Sequence, residues 1–242
     1  VHKFHMTVTE TLLTHWDVII SFFAIAVLYA SVGFGGGSSY LAILALTTLG
    51  YTEIRAIALV CNIVVVSGSF IMYYKNGFYN FKKVIPLVLT SIPLAFLGGY
   101  LRIEKRAFFI LLGVTLLLAG ILMLVGKKEA TRNTINKTST IKSLGYGGGI
   151  GFISGLVGIG GGIFLAPLLH LTNWETSKKI AAIASLFILV NSIAGLGGQL
   201  TNPNFSINMM LTSILAISTF IGGQIGTRIG IKLANPTTLK RT

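Results

Sequence analysis

The chain has 242 residues, of which 53% are hydrophobic and only 10% are charged. A soluble domain normally carries about 25% charged residues, so a soluble fold of this size would lack the polar groups to cover its surface. The formal net charge of +13 would suggest nucleic-acid binding in a soluble protein, but these Lys and Arg residues fall in short connections between apolar segments, as membrane orientation requires. The composition therefore predicts an integral membrane protein and argues against nucleic acid as a partner.

Six segments without Asp, Glu, Lys or Arg give the predicted membrane elements in chain order: residues 18–49, 56–74, 84–101, 107–126, 143–174 and 180–227. A helix needs about 20 apolar residues to span a bilayer, and the alternating pattern of a β-barrel is missing from the sequence. We therefore predict simple spanning helices at residues 55–74, 84–102, 106–126, 180–199 and 206–231.

The first and fifth segments are too long for one spanning helix. Each covers 32 residues, and a continuous helix of that length would extend about 48 Å, well beyond a hydrocarbon core of about 30 Å. Each also carries a glycine cluster, at residues 33–37 and 158–162, and glycine inside a helix costs about 1 kcal/mol. We predict that each segment forms two half-helices that meet at a glycine turn inside the membrane.

The two glycine clusters belong to an internal repeat. Residues 33–37 match residues 158–162 at a spacing of 125, and the same spacing relates Ser67 to Ser192. Such self-similarity indicates two homologous halves.

The repeat predicts the organisation of the chain. A first membrane repeat covers residues 1–126, a polar cytoplasmic linker covers 127–142, and a second membrane repeat covers 143–242. The second repeat stops at the point where the first continues into the helix predicted at residues 106–126. We therefore expect the native protein to have one more C-terminal helix.

Positive charge decides whether each glycine-broken segment crosses the membrane or turns back. If both segments are re-entrant hairpins, 14 of the 19 Lys and Arg residues lie on one side and 5 on the other; if both cross, the division is 9 against 10. Lys and Arg concentrate in cytoplasmic loops, so the hairpins are favoured. Three full crossings then remain in each half, and the halves are inverted, as in many secondary transporters. The predicted fold is an all-α multipass protein with two inverted repeats, in a prokaryotic plasma membrane.

The glycine clusters are the candidate substrate site. A helix that begins after such a turn directs unpaired N–H groups and a partial positive charge at whatever precedes it, which makes an anion site without a charged side chain. Ser38 and Ser39 follow the first cluster, where a hydroxyl can cap the helix or donate to an oxyanion. The alternative is that the glycines only allow helices to pack closely.

Other polar residues lie on the helices that follow the clusters. Each of them either touches substrate or ties one helix to another, and Ser67 and Ser192 are favoured because they are repeat partners. The predicted substrate-binding residues are Gly35, Gly36, Gly37, Ser38, Ser39, Asn62, Ser67, Gly160, Gly161, Gly162, Ile163, Ser185 and Ser192. We expect no cofactor and no metal, since the single cysteine, Cys61, lies in an apolar segment. Trp16 and Trp174 are predicted to anchor the protein at the membrane interface.

Three motifs carry a resemblance to a known family: residues 32–37 (VGFGGG), 155–167 (GLVGIGGGIFLAP) and 181–187 (AAIASLF). With the duplication, the sequence resembles the TauE/SafE sulfite exporter family, also called the toluene sulfonate uptake permease family, over essentially the whole chain. This resemblance implies multipass transporters of eight helices that move sulfur-containing anions such as sulfite, sulfonates and sulfoacetate. The chain departs from the family at the final helix, and it has Val60 where the second repeat has Ser185.

The leading hypothesis is a secondary transporter, most plainly an exporter, for small sulfur-containing anions. Its mechanism would be alternating access around the two glycine turns. An anion channel with the same N–H cradle is the alternative.

Metalloprotease motifs and paired intramembrane carboxylates are missing from the sequence, which argues against an enzyme. The predicted spans place no Asp, Glu, Lys or Arg at membrane depth, so we expect transport without proton coupling. The oligomeric state, the anion and the direction of transport stay open.

Overall fold

The structure, a computed structural model, describes residues 8–124, 139–203 and 205–233. Within these residues the chain is a bundle of α-helices. In chain order they are α1 (Val8–Thr14), α2 (Trp16–Ser31), α3 (Gly37–Ala45), α4 (Tyr51–Lys75), α5 (Phe81–Tyr100), α6 (Lys105–Leu124), α7 (Thr140–Val157), α8 (Gly162–Leu171), α9 (Ser177–Leu200) and α10 (Met209–Leu233).

Within the described part of the chain, five helices are long and apolar enough to cross a membrane: α4, α5, α6, α9 and α10. They correspond to the five spans predicted from the charge-free segments, with ends that differ by a few residues. A sixth candidate is α1 with α2, which meet at a bend of 75°; α1 was not predicted. The protein is therefore a multipass membrane protein.

Both glycine clusters break a helix, as predicted. The first break separates α2 from α3 and the second separates α7 from α8. The two arms of each pair are unequal, however: α2 has 16 residues against 9 in α3, and α7 has 18 against 10 in α8. Each segment therefore forms two helices that meet at the glycine turn, a long first arm followed by a short second arm.

The short arm of each pair folds back along the bundle. In the first pair, the rings of Phe22 and Tyr40 stack with centroids 4.4 Å apart, so α3 returns beside α2. In the second pair, Leu169 near the end of α8 packs in one cluster with Val84, near the start of α5. Each pair is therefore a helical hairpin with its glycine turn inside the bundle.

Two contacts define the ends of the bundle. At the Glu53 end, Glu53 Oε1 of α4 accepts a hydrogen bond of 2.8 Å from the backbone N–H of Asn208, directly before α10. At the Glu175 end, Lys83 Nζ of α5 lies 2.7 Å from Glu175 Oε1, directly before α9. Helix α2 begins at the Glu53 end, where Thr11 contacts Met210. The first turns of α7 lie instead beside the start of α5, where a Cβ on Gly147 would meet the backbone of Leu87.

Two helix pairs form the closest packing in the bundle, α2 with α10 and α5 with α7. Their axes approach because glycines on one helix face the backbone of the other: Gly226 faces Val27, and Gly155 faces Ala95. Small residues permit this approach in membrane bundles, where helix association depends on van der Waals packing.

The two tryptophans differ in their surroundings. Trp16 is 62% exposed, in keeping with an interface anchor, whereas Trp174 is only 3% exposed. The predicted anchoring role of Trp174 is therefore wrong. Its ring packs in the cluster at the Glu175 end, with Lys83 Nζ 5.4 Å from the ring centroid.

Candidate functional site

The two glycine turns share positive φ angles at two pairs of equivalent positions. Gly33 and Gly158 lie at the ends of α2 and α7 with φ of 85° and 88°, and Gly36 and Gly161 are the N-cap residues of α3 and α8, both with φ of 84°. L-residues with a side chain rarely adopt these angles, because Cβ then crowds the neighbouring carbonyl. Glycine is therefore required at these positions by the backbone alone.

Each turn presents the beginning of a short helix. The first hydrogen bonds of the helices run from Ser39 N to Gly36 O, over 3.0 Å, and from Phe164 N to Gly161 O, over 3.2 Å. The N–H groups of the residues before them are at positions that have no intrahelical acceptor. Both helices also direct the positive ends of their dipoles toward their turns.

One small cavity lies between the turns, with a volume of about 20 Å³. The first turn and the start of α3 contribute five residues to its wall, the second turn and the start of α8 contribute three, and α2, α4 and α9 supply one side chain each. The lining residues are Tyr29, Phe34, Gly35, Gly36, Gly37, Ser38, Asn62, Ile159, Gly162, Ile163 and Ile188. Two turns 125 residues apart in the chain thus share one small space.

Asn62 is a polar side chain that lines this space. It lies near the middle of α4 and is fully buried. Its Nδ2 donates to Ile159 O over 2.9 Å, whereas its Oδ1 has no hydrogen-bond partner. Added Cβ atoms on Gly35 and Gly37 would both collide with the Asn62 amide, so the first turn is also in close contact with it.

The packing around Gly37 shows how near the two turns are. A Cβ on Gly37 would lie 2.7 Å from the backbone oxygen of Ile159. On the other side, a Cβ on Gly160 would lie 2.8 Å from Asn62 Nδ2 and 2.9 Å from Ser192 Oγ. Any larger residue would fill the space between the turns.

The predicted site residues fall into two groups. Those that line the cavity are Gly35, Gly36, Gly37, Ser38, Asn62, Gly162 and Ile163. The remaining ones lie behind its wall or away from it: Ser39, Ser67, Gly160, Gly161, Ser185 and Ser192. Whether any of them binds substrate stays a prediction.

The serine hydroxyls of this second group mostly have protein partners. Ser39 Oγ donates to Tyr29 OH over 2.8 Å, and α3 has no side-chain N-cap, so the predicted capping role is wrong. Ser67 Oγ donates to Ile63 O over 2.5 Å. Ser185 hydrogen-bonds with Tyr79 OH over 2.9 Å. Ser192 Oγ is buried without a partner.

The sequence interpretation missed one charged residue beside the second turn. Arg55 lies in α4 and is 3% exposed, although the predicted spans were taken to hold no charge at membrane depth. A Cβ on Gly158 would lie 3.2 Å from Arg55 Cβ. The signal was available in the sequence, because Arg55 immediately precedes a charge-free segment that begins with Ala56.

Comparison with known proteins gives one consistent result. The family described as "Sulfite exporter TauE/SafE" matches residues 18–242. A probable membrane transporter protein, y4hK, of Sinorhizobium fredii is 34% identical over 224 residues, which cover 91% of this chain and 90% of the relative. A probable membrane transporter protein of Xylella fastidiosa is 30% identical over 216 residues, 83% of this chain and 78% of the relative. No solved structure matches the chain significantly.

Proposed function

The chain belongs to the sulfite exporter TauE/SafE family and is a membrane transporter, and we propose that it moves small sulfur-containing anions such as sulfite or organosulfonates out of the cell. The observation that carries the proposal is the single cavity lined by both glycine turns. The family name suggests that the substrate contains sulfur, and the residues of the turns suggest that it is an anion.

The anion chemistry follows from the direction of α3 and α8. Their first turns supply backbone N–H donors and partial positive charge to the cavity, at Gly37 and Ser38 on one side and at Gly162 and Ile163 on the other. An oxyanion with three oxygens can accept several such donors at once. No carboxylate lines the cavity, so no acidic side chain opposes an anion there.

Alternating access is the mechanism that this arrangement supports. Helix α2 starts at the Glu53 end of the bundle and α7 starts beside α5, which begins at the Glu175 end, as inverted repeats require. In our proposal the two halves rock against each other, so that the cavity opens first to one end and then to the other. The substrate would stay between the two turns throughout.

An anion channel would use the same N–H donors without closing either end. Electrical recording from a planar bilayer separates the two functions. A carrier gives saturable uptake with no resolvable unitary current, whereas ohmic currents far above carrier turnover would remove the carrier assignment.

The test of substrate class is a thermal-shift series on the purified protein with sulfite, thiosulfate, methanesulfonate, sulfate and acetate. A ligand that binds only the native state stabilises it by RT ln(1 + L/Kd), where L is the free ligand concentration. We expect sulfite or a sulfonate to raise the melting temperature most. If acetate stabilises the protein and no sulfur anion does, the substrate proposal is wrong while the transporter assignment stands.

A further inference from the structure

Arg55 is a buried cation without an acidic partner. It is 3% exposed, and no ion pair links it to a carboxylate among the described residues. Glu53, two residues earlier on α4, instead accepts a hydrogen bond from the backbone of Asn208. Burying an uncompensated charge is expensive, and a basic side chain inside a membrane bundle usually serves the transported ion or its pathway.

The partners of Arg55 are the carbonyl ends of two helices. Its Nη2 donates to Gly155 O in the last turn of α7, over 3.0 Å, and lies 3.4 Å from Gly98 O in the last turn of α5. Its Nε is buried without a hydrogen-bond partner. Carbonyls at a helix C-terminus carry a partial charge of about half an electron, so the guanidinium offsets the negative ends of both helices.

This position matters because each glycine turn contains opposing helix ends. The C-terminus of α7 and the N-terminus of α8 meet across residues 158–161. The first repels an anion and the second attracts it. A cation bound to the α7 carbonyls cancels the repulsive end and leaves the attractive end of α8.

Among the residues that the structure describes, the first glycine turn has no cation at the equivalent position. The repeat spacing of 125 places Ile180 at the position equivalent to Arg55, and Ile180 is buried in an apolar cluster. The two turns share positive φ angles at their first and last glycines but differ in the charge beside them. The second turn is the more positive of the two.

From this geometry we propose that Arg55 determines the charge selectivity of the substrate cavity by neutralising the C-terminus of α7. The inference rests on the proposed function, because it assigns a role in recognising the transported anion. In this role Arg55 does more than hold α5 and α7 together. Arginine suits this part since it stays protonated in proteins.

The experiment compares Arg55→Met, which keeps length and removes charge, with Arg55→Lys, which keeps charge. Arg102→Met, in an exposed loop, is the matched control. Affinity is measured from the thermal stabilisation by methanesulfonate and by dimethyl sulfone, which is similar in size and neutral. We expect Arg55→Met to bind methanesulfonate at least about tenfold more weakly, and Arg55→Lys to stay within about threefold of the wild type, because the loss is one of charge.

A clamp alone would give a different pattern. Arg55→Met would then melt at a lower temperature without ligand, but its preference for methanesulfonate over dimethyl sulfone would be unchanged, and this result would overturn the proposal.

The wild-type protein provides a test that needs no variant, since equal stabilisation by methanesulfonate and dimethyl sulfone also rejects a charge-selective cavity. If no sulfur anion stabilises the wild type, the proposed function fails first. If sulfur anions stabilise the wild type and Arg55→Met equally, the proposed function stands and only the proposed role of Arg55 is wrong.

Discussion

Asn62 donates a hydrogen bond from Nδ2 to the backbone oxygen of Ile159 across 2.9 Å, and so joins the middle of α4 to the second glycine turn. The same amide is in close contact with Gly35 and Gly37 of the first turn. A single side chain from the first repeat therefore touches both turns. The sequence offered no repeat partner for it, because the equivalent residue is Phe187.

Replacement of Asn62 by Ala should weaken anion binding about tenfold, the equivalent of losing about 1.4 kcal/mol of hydrogen bonding. The cause is that Ile159 loses its donor and the second turn is no longer held against α4. Asn191→Ala is the matched control, since Asn191 is also a buried amide that donates to a backbone oxygen, that of Phe187, but does not line the cavity. Thermal shift with sulfite measures both variants. An equal loss of sulfite affinity in Asn62→Ala and Asn191→Ala would show that Asn62 acts on stability alone.

Gly36→Val and Gly161→Val should abolish transport while leaving insertion into the membrane largely intact. Both glycines have φ of 84°, which a branched residue does not tolerate. A Cβ would also lie 2.8 Å from Ile25 Cγ2 in one case and 2.8 Å from Phe187 Cε1 in the other. Gly120→Val on α6 is the control, because no atom lies within 4 Å of its added Cβ. Normal uptake of radiolabelled sulfite by both turn variants would show that the turns serve packing only.

The ion pair at the Glu175 end should make stability depend on pH. Burial raises the pKa of the Glu175 carboxyl, but hydrogen bonds and charges from Lys83 and Lys179 outweigh burial and hold that pKa below its usual range. A carboxyl whose pKa is lowered by folding contributes stability that is present above its unfolded pKa of about 4.3 and lost as pH falls through the folded value. We therefore expect the melting temperature to be steady above about pH 5 and to fall below about pH 4.

Glu175→Gln tests this assignment. The variant should be less stable by about 1.5 to 3 kcal/mol at pH 7, the usual contribution of a hydrogen bond to a charged group, and its melting temperature should change less between pH 5 and pH 3. Glu104→Gln, at an exposed position, should retain the wild-type dependence. If Glu175→Gln follows the wild-type curve throughout, the acid sensitivity arises elsewhere in the protein.

The membrane spans could be predicted from the sequence because charged residues are excluded from them. The turns could be predicted because glycine is costly within a helix. Interactions between distant segments were not predictable. The sequence allows the hydroxyls of Ser38 and Ser39 either to cap α3 or to donate to an anion, but the hydroxyl of Ser39 instead reaches Tyr29 on the other arm of the hairpin. Trp174 was assigned to the interface by type, although Lys83 and the surrounding cluster bury it. Arg55 is the first residue of the span predicted at 55–74, and the sequence does not show that it is buried, because its burial depends on the ends of α5 and α7.

Anion export should follow the membrane potential and ignore a pH gradient. Proton-coupled carriers normally keep a titratable group at membrane depth, and residues 56–74, 84–101 and 180–227 hold no Asp, Glu, Lys or Arg. Arg55 is an exception to the expectation that the spans carry no charge, but arginine does not release its proton in proteins. It can therefore attract the anion without coupling its movement to protons. An inside-negative potential favours anion exit by about 2.3 kcal/mol per charge per 100 mV, so export needs no second ion.

Proteoliposomes with an imposed potassium diffusion potential and, separately, an imposed pH gradient test this directly. We expect sulfite and methanesulfonate to move toward the positive side in the first experiment. In the second we expect methanesulfonate, the control whose charge is independent of pH near neutrality, to equilibrate without accumulation. The control is needed because sulfite itself changes protonation in this range, so that a pH gradient redistributes it without any coupling. Accumulation of methanesulfonate driven by the pH gradient at zero potential would mean that a proton is carried with the anion. In that case a titratable group would have to be found, and the role of Arg55 as a fixed charge would have to be tested separately from the coupling.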